Sequence, residues 1–158
     1  MHFHAISGCD TTSYFYRAGK TTPFRKAVDE NKMHLISSLG NDIVISQECI
    51  DNCLEFIRTI LYNGKEKESY LETRIRLYDR QDKKSKTTMN IPPDIDSCIQ
   101  HIRRCHLRIF IWTNCDKQLI PHISTYDNGW RLSECKAVLP VWFTGPQFPP
   151  SCVRQKTL

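Results

Sequence analysis

Asp10 is the residue best placed to do chemistry in this chain. It stands in Ile6-Ser7-Gly8-Cys9-Asp10-Thr11-Thr12-Ser13, a Gly-containing turn ahead of a Thr/Ser run. A carboxylate at the end of an apolar segment can bind Mg²⁺, because hard cations choose oxygen and phosphodiesterases use them to stabilise attacking and leaving oxygens. The same residue can serve only as a helix cap, near the positive end of the dipole. A second group is basic: Gly19, Lys20, Arg25 and Lys26 form a turn and helix start that can hold a nucleic-acid backbone, since helix N-termini and cationic side chains both favour phosphate. Arg103, Arg104 and Arg108 fall on one predicted helix and could contact nucleic acid or form salt bridges to a further domain. Arg74, Arg76 and Arg80 form a weaker candidate face.

The other reactive side chains read as structural. Cys9, Cys49, Cys53, Cys98, Cys105, Cys115, Cys135 and Cys152 contain no C-x₂-C pair, so buried free thiols are expected rather than zinc. His106 falls beside an apolar stripe and reads as a core histidine. Trp112, Trp130 and Trp142 could stack bases, but their sequence neighbours lack alternating basic residues, which favours packing. The chain has no Gly-rich phosphate loop, no HExxH and no complete catalytic constellation.

These residues need elements to hold them. Thr11, Thr12 or Ser13 can cap a short helix that stops near Gly19, and Pro23 can begin a second one after Thr22. Ser46 caps a helix in which Ile50, Cys53, Leu54, Ile57, Ile60 and Leu61 recur at spacings of three and four, and Asn63-Gly64 ends it. Leu71, Ile75 and Tyr78 mark a further helix, with Arg74, Arg76 and Arg80 at least partly off its stripe. Periodicity is then lost from Asp79 to Asn90, around the loop tip Lys83-Lys84-Ser85-Lys86. Pro92-Pro93-Asp94 announces the longest helix, with Ile95, Ile99, Ile102, His106 and Ile109 on its buried face. After Asn114 the turn residues Pro121, Asp127-Asn128-Gly129 and Gly145-Pro146 divide short apolar pieces that could pair as a hairpin or lie extended on the helices.

The chain has 158 residues with 22 basic against 17 acidic, a net charge of +5. That excess permits nucleic-acid contact without requiring it. The first residues lack a signal-peptide pattern and no apolar run approaches a membrane span, so an intracellular protein without membrane attachment is expected.

The segment His4 to Ser13, continued to Gly19-Lys20, resembles the Gly-Cys-Asp-Thr segment of a group of uncharacterised, mobile-element-associated animal proteins. The likeness runs on through Tyr62-Asn63-Gly64, Leu71 to Tyr78, Ile91-Pro92-Pro93, His101 to Arg104, Ile111-Trp112, Gly129-Trp130 and Trp142 to Pro146. More distantly, Gly8-Cys9-Asp10 is similar to the segment of PIN-type, flap-endonuclease-like nucleases whose Asp closes an acidic metal cluster ahead of a DNA-holding helix-turn-helix. That resemblance implies a Mg²⁺ ligand at Asp10 and a DNA-binding turn at Gly19 and Lys20. It departs in that Arg17-Ala18-Gly19-Lys20 supplies one glycine where that turn usually has two. The carboxylates that complete such a site precede the matching segment, so it also implies an N-terminal nuclease-like half beyond this chain.

The expectation is a mainly α chain: residues 1–114 helical, with 1–28 helix-turn-helix-like, and residues 115–158 irregular or short-stranded and packed on them. In function it reads as a DNA-binding C-terminal module, catalytically incomplete alone, using Mg²⁺ only with the further acidic residues. The alternative is a structural or protein-interaction remnant.

Overall fold

The computed structural model describes residues 1–15, 18–82, 91–119 and 121–142, with backbone alone at 81 and 82. The expectations for Arg17, for Lys83-Lys84-Ser85-Lys86 and for residues 143–158, Cys152 included, fall outside these. The fold is mainly helical with a small two-stranded sheet near its C-terminal end. In chain order come α1 (His2–Ile6), α2 (Thr21–Asp29), a 3₁₀ turn (Met33–Ile36), α3 (Gln47–Phe56) continued by a π-helical turn (Ile57–Leu61), α4 (Tyr70–Asp82) and α5 (Ile95–Thr113). A 3₁₀ turn (Tyr126–Asn128) then leads into β1 (Trp130–Leu132), which pairs antiparallel with β2 (Val138–Pro140).

The caps that the sequence announces are made. Ser46 accepts the Cys49 N–H at 3.1 Å to start α3, and Asp94 accepts the Ser97 N–H at 3.1 Å to start α5. At the far end of the π-helical turn, Asn63 takes φ +52° and the Gly64 N–H returns to the Arg58 carbonyl at 2.8 Å, which stops the helix.

α5 is the spine. Its Cys98, Ile102, Cys105 and Ile109 are fully buried in one cluster with Phe3, Ala5 and Ile6 of α1 and Ile50, Cys53 and Phe56 of α3. Each such aliphatic or aromatic side chain contributes roughly 1.5–3 kcal/mol by leaving water. Gly40 lets the chain press onto this spine: a Cβ there would lie 2.6 Å from Ile109 Cγ2, and its φ is +74°. Its N–H donates to His106 Nδ1 at 3.0 Å, so His106 is indeed a buried core histidine.

Four local expectations change. Ile95 is 50% exposed and lies off the buried face of α5. Leu71 is 46% exposed, while Thr73 and Arg74 are buried, so α4 packs on the face of Tyr70, Thr73, Arg74 and Leu77. Arg74 can be buried there because its Nε donates to the Pro92 carbonyl at 3.1 Å. α4 also continues to Asp82, past the expected loss of helix at Asp79. Finally, the segment ahead of Asp10 is the helix α1, and no helix forms in the described residues between Asp10 and Gly19.

Candidate functional site

The turn carrying Asp10 explains why the expected helix is absent. Gly8 adopts φ +102°, and a Cβ at this position would meet the Tyr14 ring at 2.6 Å, so a side chain is excluded both by backbone and by space. Cys9 to Thr12 then close on themselves. The Thr12 N–H donates to the Cys9 carbonyl at 3.1 Å, and the Cys9 N–H donates to Thr12 Oγ1 at 3.0 Å. The Thr12 hydroxyl in turn donates to the Ala5 carbonyl at 2.9 Å. The Thr12 hydroxyl is thus turned back onto α1 and Cys9. Asp10 and Thr11 are left exposed at the tip.

α5 fixes this turn from below. His101 Nε2 is 2.9 Å from the Ile6 carbonyl and Cys105 Sγ donates to the Ala5 carbonyl at 3.2 Å, so two side chains of α5 satisfy the last carbonyls of α1. A carbonyl only accepts, so Nε2 carries the proton. Burial pushes the His101 imidazole down to about 4, which keeps it neutral.

Asp10 lines a cleft of about 440 Å³ with Thr11, Ser13, Arg104, Arg108, Trp130 and Trp142. The turn thus meets two of the arginines singled out on α5. Asp10 makes no ion pair or hydrogen bond with any described residue, and Arg108 lies 5.6 Å over the Trp112 ring. Arg104 is buried: its Nη1 donates to the Val141 carbonyl at 2.8 Å and the Gly129 carbonyl at 3.3 Å, and its guanidinium lies 5.8 Å from the Trp142 ring. Beyond Arg108 the pattern continues. Trp112 stacks on His4 at 6.1 Å, His4 Nδ1 meets Lys20 Nζ at 3.0 Å, and Lys20 lies 5.5 Å over the Tyr14 ring.

The other candidates are placed differently. Lys20 also donates to the Gly8 carbonyl at 2.5 Å, so it ties α2 to the Asp10 turn. Lys26 donates to the Thr59 carbonyl at 2.6 Å and to Asn63 Oδ1 at 2.7 Å, which docks α2 on the end of the π-helical turn. Gly19 and Arg25 are exposed and outside the cleft. Arg103 is half-buried, its Nε without a hydrogen-bond partner among the described residues. Arg76 pairs with Glu68 at 2.6 Å and holds that carboxyl well down, at about 2. The α4 arginines Arg74 and Arg76 therefore serve packing.

The sequence reading missed the pairing of tryptophans with cations. The basic partners of Trp142 and Trp112 come from α5, and Trp142 is far from Arg104 in the chain. One signal was available: Arg104, Arg108 and Trp112 recur every four residues, which aligns them on one helical face.

Among the described residues no three His, Cys, Asp or Glu side chains gather as a metal site. Asp10 offers one carboxylate, which suits Mg²⁺ only if phosphate, water and further carboxylates complete its shell. Cys9, Cys49, Cys53, Cys98 and Cys105 are buried free thiols, whereas Cys115 and Cys135 are exposed. No helix among the described residues is long and apolar enough to cross a membrane. Comparison with protein-family models, with curated proteins and with solved structures gave no match.

Proposed function

We propose that this chain is a nucleic-acid-binding module that contacts its ligand through the cleft between the Asp10 turn, α5 and the C-terminal hairpin. The observation that carries the reading is Arg108, a half-buried cation backed by Trp112, in a cleft that also presents the rings of Trp130 and Trp142. A guanidinium recognises phosphate by a fixed fork of donors, and exposed indoles stack on bases. Asp10 beside Arg108 would repel a bare phosphate. It contributes favourably only through a Mg²⁺ shared with that phosphate, completed by carboxylates from another segment, and this is the form in which the module would serve a PIN-like nuclease of a mobile element.

A second reading, a structural or protein-interaction remnant, is favoured by one specific observation. Lys20, Lys26, Arg58 and Arg76 are all spent on acceptors within the chain, so much of the basic excess is structural.

The two are separated by binding of the folded chain to flapped DNA, matched duplex and single strand across a salt series. Affinity should fall as salt rises, and Arg108→Ala should weaken binding and flatten the salt slope by about one. Arg25→Ala should change neither. No binding by a folded chain overturns the nucleic-acid reading and leaves the second in place.

A further inference from the structure

A second cleft, of about 300 Å³, adjoins the first and shares Ser13, Arg104 and Trp142 with it. Its lining is of another kind: Tyr14, Phe15 and Pro93 join Trp142 around a floor that includes His101. Phe15 is buried and fixed edge-on against His101, with ring centroids 4.9 Å apart at 72°, and against Tyr62 at 5.9 Å and 88°. That wall is therefore rigid. Tyr14 and Trp142 are the exposed parts of the lining, at 63% and 61%. Trp142 is nevertheless held in place from behind by Arg104, whose Nη1 also fastens the adjoining Val141 carbonyl.

Resting on the proposed function, we infer that this second cleft receives one unstacked base of a single nucleic-acid strand, while the phosphate next to it lies against Arg108 in the first cleft. Flat, apolar walls with π-faces are what a base requires once it leaves its neighbours, and every base has such a face. Two polar groups of the lining are already engaged, the Ser97 hydroxyl donating to Asp94 Oδ2 at 2.5 Å and His101 Nε2 to the Ile6 carbonyl. Stacking on the rings is itself sequence-tolerant. A closed duplex cannot use the cleft, because its bases are stacked and paired, so the module favours single strands or the unpaired arm of a junction.

The test compares a single-stranded oligothymidylate, an abasic strand of equal length and a matched duplex, with Trp142→Ala and Tyr14→Ala beside the parent chain. Both side chains are mostly exposed, so both variants should fold, which circular dichroism checks. The oligothymidylate should bind about tenfold tighter than the abasic strand. Trp142→Ala and Tyr14→Ala should each weaken oligothymidylate binding by more than abasic binding, so that the preference for bases shrinks, and only the strand with bases should quench tryptophan fluorescence. Equal binding of oligothymidylate and abasic strand, still weakened by Arg108→Ala, would overturn the base cleft and leave the phosphate contact standing. No binding of any probe by the folded chain would overturn both.

Discussion

Asp10 shares its cleft with Arg104 and Arg108 yet pairs with neither, so its charge is available to a ligand. Asp10→Asn should therefore tighten nucleic-acid binding a few-fold when divalent ions are chelated, by removing one repulsion. With Mg²⁺ present the order should reverse only once a segment that supplies the further carboxylates is added, a comparison that equilibrium binding with and without chelator reads directly. His101 makes a pH prediction. Its folded pKa is lowered by burial from 6.5 to about 4, so between those values the unfolded chain holds a proton that the folded chain lacks. Stability should fall as pH drops through that window, by about 3 kcal/mol in all. Half-buried His2 and buried His106 shift the same way. Denaturant melts across the window should show the slope, and His101→Gln, which can still donate to Ile6, should reduce it; an unchanged slope would mean other groups dominate. At this scale the exposed turn at Asp10 and the core position of His106 were legible because turn composition and apolar neighbours are local. The roles of Lys20, Lys26 and Arg104 were not, because their acceptors Gly8, Thr59 and Val141 lie elsewhere in the chain.

Helix caps announce themselves in sequence, and α3 and α5 begin where Ser46 and Asp94 say they should. Ser46→Ala should cost about 1 kcal/mol in a denaturant melt. α1 could not be read that way. One helical turn is too short to stand by itself, and it exists because Phe3, Ala5 and Ile6 are buried and α5 satisfies its last carbonyls. The face of α4 was misread for a related reason: Arg74 looks solvent-facing until Pro92 supplies its acceptor. The hairpin β1–β2 depends on α5 in turn. Gly129, at φ +80°, sits where a Cβ would be 2.6 Å from the Gln100 carbonyl, and Arg104 fastens Gly129 and Val141. Arg104→Ala should speed amide exchange in the hairpin, including the Val141 N–H that donates to Gly129, while the buried α5 amides near Ile102 keep their protection. Uniform loss of protection would instead place Arg104 in the global core.

Taken whole, the molecule spends one basic surface on itself and leaves another open. Lys20 and Lys26 bind α2 to the Asp10 turn and to the π-helical turn, so the Gly19–Lys26 segment is a joint. Lys26→Ala should lower stability by about 1 kcal/mol without altering nucleic-acid affinity. The surface left open combines residues from both ends of the chain, Asp10 and Tyr14 with Trp130 and Trp142, around Arg104 and Arg108 of α5. No local pattern could show it, because it forms only when the hairpin docks. The most direct measurement is therefore amide chemical-shift mapping of the intact chain during titration with a short single strand. Shifts should concentrate at residues 10–14, 104–108, 130, 141 and 142, with 19–26 unmoved. Shifts centred on 19–26, or none at saturating strand, would contradict it.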